Sequence, residues 1–178
     1  MTDVHADPQC DVAHGRAPAA PQTRTLIAVF ASPVARYLLR YGTDVGFRPV
    51  LLEPDTERAA AGGFAGVTLA ASAAEYADAS ADVVVTDHHR SELGPVLRDF
   101  LATPAAWIGL MGSPRHPAPH IPLLTGLGVS EADIARVHRP IGLNIGSKSP
   151  PEIAIATIAG LIAEHNSCPG GFSFSSHA

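Results

Sequence analysis

Short apolar runs alternate along most of this chain with segments whose apolar residues recur at helical spacing. The apolar runs are rich in β-branched residues and have the length of buried strands. Strands are therefore predicted at 25–30, 49–53, 67–69, 82–86, 105–110 and 136–139, with helices at 33–45, 91–101 and 153–164 and a short one from 130. Strands that alternate with helices indicate βαβ units, so we predict an α/β fold with a mostly parallel sheet and helices on both faces.

Segments without such a pattern flank and interrupt this unit. We expect 1–23 to be a disordered leader, 24–166 to be one folded domain and 167–178 to be a flexible tail. The segment 114–127 is interrupted repeatedly by proline and is interpreted as a loop or a broken helix. The stretch 54–80 is rich in glycine and alanine, and we predict no element in it beyond the short strand at its centre.

The composition narrows the possible functions. The 178 residues are 46% hydrophobic and carry a formal net charge of −5, which allows a real core and excludes a disordered acidic chain. The acidic balance also argues against a nucleic-acid or anionic-membrane partner, and no apolar run approaches the ~20 residues of a membrane span. Cys10 and Cys168 are too few for a disulfide scaffold and no signal peptide is recognisable, so we expect a cytoplasmic protein.

The loops at the carboxyl ends of the strands are the candidate sites, because parallel sheets bind ligands there. The first loop, Ala31–Ser32–Pro33, holds no glycine, although a helix start capped by Ser32 still favours an anion. It is either a weakened phosphate site or an ordinary capped helix. In the second loop, Glu53 and Asp55 lie about 20 residues after the first turn. An acid at this distance commonly binds a ribose hydroxyl. A Pro-Asp turn explains them equally well.

A cluster of ionisable groups follows the strand at 82–86. Asp87, His88 and His89 could act as acid, base or ligand, and Asp87 could equally cap the next helix. As a metal site the cluster is weak, because we expect the adjacent histidines to point to different sides and no third ligand has suitable spacing.

The two remaining loops combine glycines with groups that bind anions. Glycines allow close backbone approach, a serine hydroxyl can cap a helix or hold an oxyanion, and an arginine can pair with phosphate. After the strand at 105–110 the candidate positions are Gly109, Met111, Gly112, Ser113 and Arg115. Before the last helix they are Gly142, Asn144 and Gly146. The helix N-terminus that follows either suits an anion or is only a capped loop.

Three segments together resemble a known family. They are Thr86–His89, Trp107–Ser113, and Arg136–Gly146 with the helix start Ser149–Ala154. Over roughly 25–165 the chain is similar to the carboxy-terminal Rossmann domain of the XdhC/CoxI family, the accessory proteins of xanthine dehydrogenase and related molybdenum hydroxylases. This resemblance implies a single Rossmann-like, doubly wound domain.

The resemblance also implies a role in maturation rather than catalysis. Such a protein would bind molybdenum cofactor (molybdopterin), or NAD(P) or another nucleotide, and would deliver the sulfurated cofactor to an apo-hydroxylase. The residues named in the strand-end loops would hold the ligand, and no catalytic residue or metal ligand is implied. Full-length members have an amino-terminal domain with a cysteine implicated in cofactor handling, so a separate protein with that domain is a further implied partner. Whether such a protein forms a homodimer is left open by the sequence.

The chain departs from the family pattern in three loops. Members usually have Gly-x-Gly in the first turn, where this chain has Phe30 and Ser32. They usually read Thr-His-Asp-His where this chain has Thr86–His89, and Asp where it has Asn144. The lost glycines predict weakened nucleotide binding.

Two other functions stay open from the sequence. An NAD(P)-dependent oxidoreductase would need a dinucleotide turn and a proton-transfer group, and His88 or His89 could supply the latter. A scaffold that lost its ligand and kept its fold for docking would have Phe30 and Pro33 filling the crevice. A binding protein would have an open, polar crevice there.

Overall fold

The computed structural model describes residues 8–18, 24–113, 115 and 117–170, and a parallel sheet forms its centre. The strands are β1 (Thr25–Val29), β2 (Arg48–Leu52), β3 (Thr68–Ala70), β4 (Ala81–Val85), β5 (Trp107–Leu110) and β6 (Val137–His138). Within the described residues they form one sheet in the order β3–β2–β1–β4–β5–β6, and all neighbours are parallel. The predicted single α/β domain of Rossmann-like type is confirmed.

Helices cover both faces of the sheet, as the alternating pattern predicts. The α-helices of the described residues are α1 (Pro8–Ala13), α2 (Pro33–Asp44), α3 (Thr56–Ala61), α4 (Leu93–Leu101), α5 (His120–Gly126), α6 (Glu131–Ile134) and α7 (Pro150–His165). On one face α2 and α7 contribute to the core, and on the other α4, α5 and α6 do. Successive residues of β1 enter opposite cores, since Leu26 and Ala28 pack with α2 and α7 whereas Ile27 and Val29 pack on the α4 side. No helix in the described part of the chain is long and apolar enough to span a membrane.

The strand order determines where a ligand site is to be sought. β1 pairs with β2 on one side and with β4 on the other, so the winding direction reverses between β1 and β4. In doubly wound sheets a crevice forms at this switch point, outside the carboxyl ends of the two strands. The loops 30–32 and 86–90 border it.

Two helices, α3 and α1, differ from the sequence prediction, and α5 agrees with one of its two alternatives. α3 lies in the glycine- and alanine-rich stretch where no helix was predicted. α5 lies in the segment interpreted as a loop or a broken helix, and it tolerates Pro122 because a third helical residue needs no intrahelical acceptor for its N–H. α1 is a short helix inside the predicted leader, while 1–7, 19–23 and 171–178 lie outside the described residues.

The loop before α7 packs directly on that helix. Gly142 has a φ of 83°, and the next N–H, of Leu143, donates to the carbonyl of Ala156 at 3.0 Å. A Cβ added to Gly160 would lie 2.9 Å from the Cα of Gly142. The two glycines therefore allow the loop backbone and the helix backbone to touch.

We expect Gly160→Ala to destabilise the protein by about 1–3 kcal/mol, because the added methyl group overpacks this backbone contact. Gly126 in α5 is the matched control, since a Cβ there meets nothing within 4 Å. Gly126→Ala should be neutral or stabilising by up to about 1 kcal/mol. Urea unfolding measures both variants, and equal stabilities would show that the Gly142–Gly160 approach is not tight.

Candidate functional site

An aromatic residue in a left-handed conformation makes the turn after β1. Phe30 has a φ of 71°, a value that bulky L-residues rarely adopt. Its N–H donates to the Leu52 carbonyl at 2.9 Å, and its own carbonyl accepts from Thr86 Oγ1 at 2.9 Å. The ring is fully buried in the core, with the Arg90 guanidinium 4.5 Å from its centroid. The side chain therefore points into the domain and does not fill the crevice.

A buried carboxylate holds this turn in place. Glu53 Oε2 accepts from the Ala31 N–H at 2.7 Å, and Glu53 Oε1 accepts from the Asp55 N–H at 3.0 Å. Arg90 donates to both carboxylate oxygens, at 3.0 and 2.8 Å. The Glu53 side chain has no exposed surface and that of Arg90 only 10%, so this is a desolvated, bidentate ion pair.

Both members of the pair stay charged at neutral pH. Burial by itself would raise the pKa of Glu53, but the hydrogen bonds from Arg90, Asp55 and Ala31 outweigh it and hold that pKa below its ordinary value. The hydrogen bonds to Glu53 and Glu92 raise the pKa of Arg90.

The predicted ribose-binding role of Glu53 is contradicted by this geometry. Protein donors use all the lone-pair positions of its carboxylate, and no part of the side chain reaches solvent. Asp55 is also structural, because its Oδ1 accepts from the N–H groups of Glu57 and Arg58 at 3.0 and 3.1 Å and so begins α3. The alternative interpretation, a turn with a cap, is the one that the structure supports.

Ser32 has two contacts at the switch point. Its Oγ accepts from the Ala35 N–H at 3.0 Å, which caps α2, and Pro33 is the first helical residue. The same oxygen lies 2.9 Å from Thr86 Oγ1. The capped-helix interpretation of this loop is confirmed, and the two hydroxyl groups bridge the ends of β1 and β4.

Two histidines stack beyond the end of β4. Asp87 Oδ1 accepts from the His89 N–H at 2.9 Å, and the rings of His88 and His89 lie 4.1 Å apart at an interplanar angle of 38°. The expectation that these side chains point to different sides is wrong, because the Asp87 turn brings them together. Burial lowers the pKa of His88, and the neighbouring His89 and the charge of Arg139 lower it further. His88 is therefore mainly neutral at pH 7.

Arg139 approaches the same site from the end of β6. Its Nη2 donates to the Ser113 carbonyl at 2.9 Å, and a Cβ at Gly112 would lie 2.8 Å from its Nε. Gly112 is thus required for the guanidinium to pack on the loop after β5. Arg139 was not among the sequence candidates, and neither were Thr86 and Arg90. Thr86 and Arg139 directly follow β4 and β6, and Arg90 lies in the loop after β4, so their positions at strand ends are the signal that could identify them.

Three predicted residues of the β5 loop have structural or peripheral positions. Gly109 is buried against the Trp107 ring, which leaves no room for a side chain. Met111 is buried in the core. Arg115 is exposed, and its N–H donates to Ser113 Oγ at 3.3 Å.

The helix N-terminus after the last loop is a poor anion site. The first two residues of α7 are prolines, which have no N–H to donate. The Glu152 carboxylate accepts from the N–H groups of Lys148 and Ser149 at 2.9 and 3.1 Å, so a carboxylate of the chain already occupies this end. Asn144 and Gly146 are exposed in the loop itself, and the capped-loop interpretation fits this geometry.

Six residues from four strand ends form the candidate site, which we call the strand-end crevice. They are Ser32, Thr86, Asp87, His88, Ser113 and Arg139. Within the described residues, no group of three or more His, Cys, Asp or Glu could hold a metal ion. Hydroxyls, a neutral imidazole and a guanidinium suit an organic ligand that carries a phosphate or carboxylate.

The strand order and the position of the crevice define the class of protein, a Rossmann domain with its polar groups at the switch point. The family model described as the XdhC Rossmann domain matches residues 26–161. The chain belongs to this family.

Two further proteins are similar to parts of the chain. The uncharacterized protein YqeB of Escherichia coli (strain K12) is 41% identical over 75 residues, which are 42% of this chain and 14% of YqeB. A crystal structure of a xanthine dehydrogenase from Bacillus halodurans aligns with a TM-score of 0.65 at 23% identity, covering 82% of this chain and 45% of the other. At that identity the likeness shows the fold alone, and this chain spans less than half the length of either protein.

We expect Glu53→Gln to destabilise the protein by about 3–5 kcal/mol, because it removes the buried counter-charge of Arg90 and leaves only the half-exposed Glu92. Glu92 is the matched control. It also pairs with Arg90, at 2.9 Å, but its side chain is 34% exposed, so Glu92→Gln should cost about 1 kcal/mol or less. Chemical denaturation at pH 7 measures both variants.

The same variant should also change the acid sensitivity of the protein. Because the pKa of Glu53 is lowered from its ordinary 4.5, its contribution is complete above that value and disappears as the pH falls through the folded-state pKa. Glu53→Gln should lack this part of the acid-induced destabilisation. A variant that loses stability below pH 4.5 as steeply as the parent would contradict the role of Glu53.

Phe30→Gly should destabilise the protein even though glycine suits the turn. Loss of the buried ring costs about 3–5 kcal/mol, and relief of the left-handed backbone returns about 1–2 kcal/mol, so we expect a net loss of about 1–4 kcal/mol. Phe30→Ala loses the ring without that relief and should be about 1 kcal/mol less stable than Phe30→Gly. Thermal denaturation compares them, and a reversed order would exclude backbone strain at this position.

Proposed function

We propose that this domain binds a phosphate-bearing ligand during the maturation of a xanthine dehydrogenase-type molybdenum hydroxylase. The ligand is molybdenum cofactor or a nucleotide, held in the strand-end crevice and passed on to the apo-enzyme. The observation that carries the proposal is the family match over residues 26–161, together with the polar groups at the switch point of the sheet. Folds of this class bind their ligands at that point.

The donor groups of the crevice fit a phosphate. Ser113 contributes a hydroxyl, and the Arg139 guanidinium can bind phosphate through charge-assisted hydrogen bonds. The neutral His88 can donate or accept a hydrogen bond without adding charge, and Asp87 can accept from an N–H group of the ligand. These residues would hold the phosphate end of the cofactor. The molybdenum is cargo, and its redox chemistry belongs to the recipient hydroxylase.

Two observations argue against the other functions that the sequence left open. An NAD(P)-dependent oxidoreductase would use the acid after β2 to bind a ribose. Here that acid is Glu53, and its carboxylate already accepts hydrogen bonds from Arg90 and from two backbone N–H groups. A ligand-free scaffold would have Phe30 and Pro33 filling the crevice, whereas the Phe30 ring is buried in the core and Pro33 is exposed.

The proposal includes partners beyond this domain. The chain covers 45% of the Bacillus halodurans protein and 14% of YqeB, so both relatives contain further segments. We propose that an amino-terminal domain, in the same or a separate protein, acts with this one, and that the apo-hydroxylase is the recipient.

Calorimetric titration under anaerobic, reducing conditions tests the binding step. The probes are molybdopterin cofactor released from a molybdenum hydroxylase and, separately, ADP. We expect saturable binding of at least one probe, weakened about tenfold by Ser113→Ala and by His88→Gln, since each removes one hydrogen bond to a charged ligand. Asp99→Asn, an exposed change on α4, should bind as the parent does. Absence of saturable heat with both probes would overturn the proposal.

A further inference from the structure

A cavity lies beside the edge strand of the sheet. Its volume is about 450 Å³, within the range of sites for small organic ligands. Its apolar wall is formed by Ile121, Ile134, Ala135 and Val137, and its polar wall by His120, Thr125, Glu131 and Arg139. These residues belong to α5, α6 and the end of β6, and only Arg139 is shared with the strand-end crevice. We call this space the edge cavity.

His120 is an unusual residue for this position. It is 4% exposed, and its Nδ1 makes no hydrogen bond within the described residues. A buried polar atom without a partner destabilises a fold, whereas an apolar side chain of similar size would not. The packing of α5 against the core therefore gives no reason for an imidazole here, and a ligand in the cavity would give one.

Arg139 brings a positive charge to the same cavity. Its guanidinium is held on the crevice side by the Ser113 carbonyl at 2.9 Å, and it also lines the edge cavity. Burial lowers the pKa of His120, and the charge of Arg139 lowers it further. The same charge acts on His88 from the crevice side. Arg139 thus lies between the strand-end crevice and the edge cavity, and its charge lowers the pKa of one histidine in each, His88 and His120.

We infer that the edge cavity is a second binding site, for a small organic anion whose carboxylate or phosphate lies between Arg139 and His120. The guanidinium geometry matches both head groups, and the imidazole supplies a further hydrogen bond. The apolar wall would contact the body of the ligand. Glu131 also lines the cavity, so a ligand with a single charged group is favoured over one with several negative charges.

The two histidines allow a direct test by NMR. Their imidazole resonances are assigned with His88→Gln and His120→Leu, and the full chain is titrated with acetate and, separately, with inorganic phosphate at constant ionic strength. An anion in the edge cavity should shift the His120 resonance saturably and raise the pKa of His120. The response of His88 should be smaller. The probe that produces the saturable shift identifies the head group.

Two variants distinguish a built site from weak surface binding. Arg139→Gln should weaken binding of the probe at least about tenfold, since it removes a charge-assisted hydrogen bond. Arg40→Gln is the control, because Arg40 is exposed on α2, which packs on the other face of the sheet. His120→Leu should melt at or above the temperature of the parent and yet bind the probe about tenfold more weakly by calorimetry.

Four results would overturn the inference. A saturable response confined to His88 would place the anion in the strand-end crevice. Equal responses in the parent and in Arg139→Gln would mean that no built site exists, as would the absence of saturation. If a folded His120→Leu variant bound the probe as the parent does, the imidazole would have no role in binding. The crevice proposal is tested separately, through Ser113 and His88 in the titrations with molybdopterin cofactor and ADP.

Discussion

The buried Glu53–Arg90 ion pair is the interaction on which the carboxyl edge of the sheet depends. One carboxylate connects three segments, because it accepts from Ala31 after β1, from Asp55 after β2 and from Arg90 after β4. Arg90 also covers the ring of Phe30, the residue that makes the left-handed turn. The loops that border the switch point are therefore fixed from the core side.

This pair changes where the domain can recognise a ligand. In a dinucleotide-binding domain the acid after β2 faces a ribose, and glycines in the first turn admit the pyrophosphate. Here Glu53 faces inward and Phe30 occupies the turn. These two residues, at the ends of β1 and β2, therefore stabilise the fold and are not placed to contact a ligand. The polar side chains of the strand-end crevice lie instead mainly at the ends of β4, β5 and β6, among them His88, Ser113 and Arg139. In the proposed function, a phosphate would therefore be recognised by side chains on the other half of the sheet, and not by backbone N–H groups at a helix start.

The sequence predicts the fold well because the central strands are buried on both faces and carry an uninterrupted apolar signal. The sequence does not clearly predict the short helices α3 and α5. They have only six and seven residues, and their alanine, glycine and proline content obscures the helical spacing of apolar residues. The site is less predictable. For Glu53 the sequence leaves ribose binding and a plain turn open, and only the second fits, because spacing along the chain does not show that Arg90, 37 positions later, pairs with it. Arg139 becomes part of the site only through the packing of its guanidinium on Gly112.

Arg139 also determines how the two proposed sites would influence each other. Its guanidinium is held by the Ser113 carbonyl and by the close approach to Gly112, so it cannot be treated as a mobile surface charge. It lowers the pKa of a histidine on each side, His88 in the strand-end crevice and His120 in the edge cavity. An anion bound on one side would neutralise part of a charge that the other side also uses. Occupation of one site then weakens binding of an anion at the other, and this coupling has to be reciprocal because both affinities depend on the same group.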